Sequence, residues 1–235
     1  MIKHFDLLVD EHEVKATLHT PDQSNGAILW LMGRGAARLD SLDDRERQAE
    51  LFRKDMLTFD YSGQGETGGD FGKTSINQHF QEANAAYTWL RENSPGPLTV
   101  TGASYGGFIA ALVAAENPSN NLILRAPALF SLDKLDIPWG ELEAEIPEIT
   151  KVYRQNAELM VQNPLFEKLA RFAGRILIIE HGTDTVMPPT VIQAYREALP
   201  QADYWLAPDV QHSVTASSEE ARDRYEHYIA SWLNA

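Results

Sequence analysis

The stretch Leu98-Thr99-Val100-Thr101-Gly102-Ala103-Ser104-Tyr105-Gly106-Gly107 decides the fold. Its first four residues are β-branched or apolar and read as a strand. Tyr105 to Ala115 reads as a helix. Between them Ser104 sits in a Gly-x-Ser-x-Gly turn. A chain that reverses this sharply must hold its central residue in a strained backbone conformation. The residues two places either side must be almost free of side chain, so that strand and helix can pass. The serine hydroxyl is then pushed out beyond the strand's end, and the first amides of the helix point at it. Those are the requirements of a nucleophile.

Outward from this turn the chain alternates. His4 to Val9 and Val14 to His19 read as two extended segments. Ala27 to Met32 is apolar throughout, which suits a strand covered on both faces. Ser41 to Lys54 follows as a helix and Met56 to Phe59 as a strand. Ile76 to Arg91 is helical, with Phe80, Ala83, Tyr87 and Leu90 at helical spacing. Leu122 to Leu124 and Ile176 to Ile179 are strands. Pro189 to Leu199 is a helix, Asp203 to Leu206 a strand, and Glu219 to Leu233 the final helix. The alternation implies an α/β fold, a mostly parallel sheet of about eight strands with helices on both faces. About forty residues, Leu129 to Phe172, break the rhythm. Pro138, Pro147 and Pro164 divide them into short helices. The expectation is one domain over residues 1–235, with 129–172 as a helical cap inserted in it.

The composition sets bounds. Of 235 residues 43% are hydrophobic, enough for a sizeable core, and the net charge is −14. That charge disfavours nucleic acid and anionic membrane surfaces. There is no cysteine, so disulfides, thiolate catalysis and Cys-based metal sites are excluded. No His-Glu-x-x-His motif occurs, and no metal or other cofactor is implied. The longest apolar runs are too short to span a bilayer. The N-terminal residues carry no signal-peptide apolar stretch, and a cytoplasmic location is expected.

A serine nucleophile needs a base. His212 follows the last strand and His181 follows the strand at Ile176, so both fall at carboxyl strand ends, like Ser104. His4, His12, His19, His79 and His227 fall within strands or helices and read as ordinary, partly exposed residues.

Taken together, these residues resemble the α/β-hydrolase superfamily, and more narrowly its small serine esterases and serine-aminopeptidase-like hydrolases with a short cap. The resemblance covers nearly the whole chain. It rests on Met32-Gly33-Arg34-Gly35, Asp60-Tyr61-Ser62-Gly63-Gln64-Gly65, the serine turn, and the segments around Asp184 and His212. It implies Ser104 as nucleophile, His212 as base and Asp184 as the acid that orients it, with His181-Gly182 structural. The loop to the acid is one residue shorter than the family's, and Asp133 or Asp136 is the fallback. The backbone amides of Arg34 and Tyr105 are the implied oxyanion donors. Met32 stands where relatives carry a histidine that braces this loop. The glycine-rich stretch from Asp60 reads as a structural turn, since it lacks the lysine and spacing of a phosphate loop.

The cap's apolar residues, among them Phe130, Trp139, Leu142 and Phe166, mostly read as packing the cap onto the sheet. Glu141, Glu143, Glu145 and Glu148 make it acidic, which disfavours anionic substrates unless the charges are merely a solvated face. The implied activity is hydrolysis of a small to medium carboxylic ester, a small-molecule acyl substrate. A thioesterase, an amidase or peptidase, or an acyltransferase would use the same residues. A catalytically silent binding protein on the same fold is the alternative of another class.

Overall fold

The computed structural model describes residues 1–235, the side chain of Thr150 apart. Eight strands form one sheet: β1 (Ile2–Val9), β2 (His12–His19), β3 (Ala27–Leu31), β4 (Asp55–Phe59), β5 (Leu98–Ala103), β6 (Asn121–Arg125), β7 (Arg175–His181) and β8 (Asp203–Ala207). Their order across the sheet is β1-β2-β4-β3-β5-β6-β7-β8. β1 pairs antiparallel with β2, and β2 antiparallel with β4. From β4 to β8 every pairing is parallel. This is the α/β-hydrolase fold. Every strand expected from the sequence is present, with ends shifted by a residue or two.

The strand order says where a ligand belongs. The chain leaves β3 in one direction to form β4, then crosses back to form β5 on the other side of β3. The loops after β3 and β5 therefore part at the carboxyl ends of the strands, and a crevice opens between them.

Helix α1 (Leu42–Phe52) packs against α8 (Glu219–Leu233), and α2 (Ile76–Asn93) packs against α3 (Tyr105–Glu116). β3 is buried along its whole length, as an apolar run covered on both faces requires. α3 is buried from Tyr105 to Ala114, because its core position leaves it no solvent face. The sequence expectation fails at two histidines. His19 and His79 are fully buried rather than partly exposed. His79 shares the inward stripe of α2 with Ala83, Ala86 and Leu90. Among the described residues no helix is long and apolar enough to cross a membrane.

Between β6 and β7 lie α4 (Trp139–Glu148), a π-helical turn (Ile149–Tyr153), α5 (Ala157–Val161) and α6 (Pro164–Leu169). Pro138 caps α4 and Pro164 starts α6, positions where a missing amide costs nothing. The segment is stitched to the start of α2: Trp139 N–H donates to the Thr74 carbonyl and Asn77 N–H to that of Leu135, both at 2.8 Å. Phe71 stacks on Trp139. α7 (Pro189–Ala198) completes the helices.

Candidate active site

Ser104 stands between β5 and α3 with φ 54° and ψ −121°. A side chain rarely tolerates that conformation, so neighbouring bonds must impose it. They are on both sides of the residue. Ser104 N–H donates to the Arg125 carbonyl at 3.0 Å, and its own carbonyl accepts from Ala128 at 2.9 Å and Gly107 at 3.0 Å. The flanking glycines are sterically required. A Cβ on Gly102 would lie 2.1 Å from the Gly106 carbonyl oxygen, and one on Gly106 would lie 2.3 Å from that of Leu31.

The loop after β8 carries His212, and the loop after β7 carries Asp184. They meet: His212 Nδ1–H donates to Asp184 Oδ2 at 2.6 Å. The other carboxylate oxygen of Asp184 accepts the amides of Val186 at 2.7 Å and Met187 at 2.9 Å. Burial alone would raise the Asp184 carboxyl. The bonds from His212 and the two amides outweigh it and hold the group below its ordinary value. The acid loop is short but tight: Asp184 N–H returns to the His181 carbonyl at 3.1 Å, and Thr183 N–H bonds the Val210 carbonyl. One residue fewer still delivers the carboxylate to His212. Of the fallback acids, Asp136 instead accepts from Asn77 at the surface.

His181 is buried, and its Nε2 bonds the Tyr225 hydroxyl at 2.9 Å. Burial, with Arg125 adding to it, lowers its pKa to about 4. It is a neutral packing residue and does not face the crevice.

Ser104 and His212 line one cavity of about 570 Å³. Met32, Arg34, Tyr105, Phe130 and Trp139 share its wall. Among the described residues no hydrogen bond joins Ser104 Oγ to His212, whose ring bonds Asp184. Asp184 holds Nδ1–H, so Nε2 is the nitrogen left to accept a proton. The backbone amides of Arg34 and Tyr105 donate to no acceptor among the described residues. Two unspent N–H groups beside a serine are what an oxyanion requires.

The loop holding Arg34 is braced by a residue that the sequence reading passed over. Gln64 Oε1 accepts the Gly35 amide at 2.5 Å. Gln64 belongs to the turn after β4, so this turn fixes the loop after β3 and fills the bracing role that Met32 cannot. The Arg34 side chain pairs with Glu143 of α4 at 2.8 Å. Tyr105 is pinned from behind: His79 Nε2–H donates to the Ser62 carbonyl at 3.2 Å, and Nδ1 accepts the Tyr105 hydroxyl at 2.8 Å. Of the apolar residues in 129–172, Phe130, Trp139 and Ile146 reach the cavity, while Leu142, Met160 and Phe166 are buried elsewhere.

A family model described as serine aminopeptidase, S33, matches residues 53–168. That span includes Ser104 but ends before Asp184 and His212. An esterase of Pyrococcus furiosus superposes with a TM-score of 0.72 at 16% identity, over 100% of this chain and 92% of that one. A putative hydrolase of Agrobacterium vitis gives 0.71 at 19% identity, over 99% of each. A predicted CIB-like hydrolase of Thermoplasma acidophilum gives 0.70 at 13%, over 100% and 99%. No curated protein sequence matches the chain.

Proposed function

We propose that this chain, a hydrolase of the α/β-hydrolase superfamily, cleaves carboxylic esters of small to medium size through an acyl-enzyme. The observation that carries the reading is the His212–Asp184 pair, bonded at 2.6 Å on the cavity that Ser104 also lines. In the first half-reaction Ser104 Oγ attacks the ester carbonyl while His212 Nε2 takes its proton. Asp184 keeps the imidazole in the required tautomer and stabilises its charged form. The negative charge on the carbonyl oxygen falls to the amides of Arg34 and Tyr105. His212 then protonates the departing alcohol. In the second half-reaction it activates water to release the acid and restore the serine. Residues 129–172 act as a cap over this cavity, with Phe130 and Trp139 against the substrate. The substrate is a small molecule, and the reaction uses no cofactor.

The serine-aminopeptidase match gives a second reading, cleavage of an amide. An aminopeptidase must hold an ammonium group. The buried charges on this cavity, Arg45, Arg125 and Arg154, are all cationic, and the one carboxylate lining it, Asp40, is exposed to water. They would repel that group, which favours the ester.

The test is labelling by a fluorophosphonate, followed by peptide mapping. Modification at Ser104, abolished in Ser104→Ala together with ester turnover, is the expected result. An active preparation that stays unmodified at Ser104 overturns the proposal.

A further inference from the structure

The cavity that holds Ser104 has three arginines in its wall. Arg45 comes from α1, Arg125 from the end of β6 and Arg154 from the segment after α4. Each is more than nine-tenths buried, at 8%, 5% and 7% exposure. Burying a guanidinium is costly unless a carboxylate or several acceptors meet it. Among the described residues none of the three forms an ion pair with a carboxylate, although the chain has 34 acidic residues for 20 basic ones. Arg45 bonds the side chain of Gln48, and Arg154 donates from Nε to the Leu129 carbonyl at 3.1 Å. Among the described residues the Nε of Arg45 and of Arg125 has no hydrogen-bond partner. Gln48 in turn donates to Glu226, the Tyr225 hydroxyl supports Arg125, and aromatic rings add to this. Arg45 and Arg125 stack on Trp30 at 4.1 and 3.8 Å, and Arg154 lies over Phe130 at 4.5 Å. Ring faces orient guanidinium groups and leave their edge donors free.

We propose that these arginines form an anion subsite, and that the ester cleaved at Ser104 carries a second, ionised carboxylate on its acyl part. The inference rests on the serine-hydrolase reading above and narrows its substrate class to hemiesters of dicarboxylic acids or lactones bearing a carboxylate. A guanidinium fork matches the two oxygens of a carboxylate, and a site closed to water strengthens the pairing. Glu226 acts on Arg45 and Arg125 from behind without forming an ion pair, so a substrate carboxylate would supply the direct partner that the three cations lack. Burial first, and Arg125 second, pull the Arg45 guanidinium down to about 9, and burial pulls Arg154 down to about 10. A bound anion relieves that cost. Among the described residues one acidic side chain, the exposed Asp40, lines this cavity, and none of Glu141, Glu143, Glu145 and Glu148 does. Glu143 is paired with Arg34 and Glu145 with Lys134, both outside the cavity.

The test compares the para-nitrophenyl hemiester of glutaric acid with the neutral para-nitrophenyl ester of pentanoic acid, which has the same chain length. The wild-type protein is expected to show kcat/KM at least about tenfold higher for the hemiester. In Arg125→Met and Arg154→Met that ratio should collapse toward one. Equal or better use of the neutral ester by the wild type overturns the subsite, and this arm needs no variant to fold. So does a loss in the variants that is equal for both esters. Calorimetric binding of glutarate to the Ser104→Ala protein separates this proposal from the reading beneath it. Binding that weakens at least about tenfold on adding Arg125→Met keeps the subsite even where Ser104 resists the fluorophosphonate. Failure to bind beside a fully labelled Ser104 leaves the hydrolase and removes the subsite.

Discussion

Asp184 divides its carboxylate between His212, which it meets at 2.6 Å through Oδ2, and the amides of Val186 and Met187, which it meets through Oδ1. The two amides lock the orientation of the group. In Asp184→Asn they would keep the oxygen of the new amide on their side and turn its NH2 toward Nδ1 of His212. That ring nitrogen must then accept, and the proton moves to Nε2, the atom that should take it from Ser104. The expected loss in kcat is about a thousandfold to ten-thousandfold. Circular dichroism and the melting temperature should stay near those of the wild type. A variant that retains more than a tenth of wild-type kcat would remove Asp184 from its assigned role.

Much of the fold was legible because β3, β6 and β7 hold apolar runs and β5 alternates apolar and β-branched residues, and because the helices between them repeat at helical spacing. The serine turn was legible because the requirement for Gly102 and Gly106 is local. What escaped is what the chain assembles from distant segments. No pattern in Asp60-Tyr61-Ser62-Gly63-Gln64-Gly65 says that Gln64 reaches Gly35. The three buried arginines lie on α1, β6 and the segment after α4, and their shared cavity exists only in three dimensions. His79 did leave a signal. It lies one turn from Ala83 on the apolar stripe of α2, so helical periodicity alone placed it inward.

The brace between Gln64 and Gly35 gives a second prediction. Gln64→Leu removes the acceptor for the Gly35 amide and lets the loop carrying Arg34 shift. The transition state should feel this more than the bound substrate. The expected outcome is a fall in kcat of roughly tenfold with KM changed less than about twofold. Gln64→Glu, which keeps an acceptor oxygen, should recover part of the loss. An effect on KM alone would show that Gln64 does not position the oxyanion loop.

The turn at Ser104 makes a prediction about stability. Gly106→Ala would drive a methyl group to within 2.3 Å of the Leu31 carbonyl oxygen and 2.5 Å of that of Met32. Both contacts are backbone, in a buried strand and the loop it leads into, so neither can yield cheaply. The variant should lose about 3 kcal/mol or more in urea denaturation, or fail to fold. Gly68→Ala is the control, since its added carbon meets nothing within 4 Å. It should change stability by less than about 0.5 kcal/mol. Equal tolerance of both substitutions would mean that the strand and helix do not pass as closely as described.

Burial lowers the pKa of three histidines, His19, His79 and His181, and these set the response to acid. Among the described residues His19 has no hydrogen-bond partner on either ring nitrogen, and burial lowers its pKa from 6.5 to about 4. His181 is lowered to about 4 as well, first by burial and then by Arg125. Below pH 6.5 the unfolded chain binds protons at these rings while the folded protein refuses them. Stability is therefore complete above that pH and falls as pH drops toward 4, where the folded rings also take protons. His19 and His181 together should cost a few kcal/mol across that window. Asp184, whose carboxyl is depressed when folded, adds a loss that extends to lower pH. His19→Gln should flatten the fall in melting temperature between pH 6.5 and 4 without moving the plateau above it. An unchanged slope would mean that His19 is protonated inside the folded protein, with an acceptor for its charge within reach.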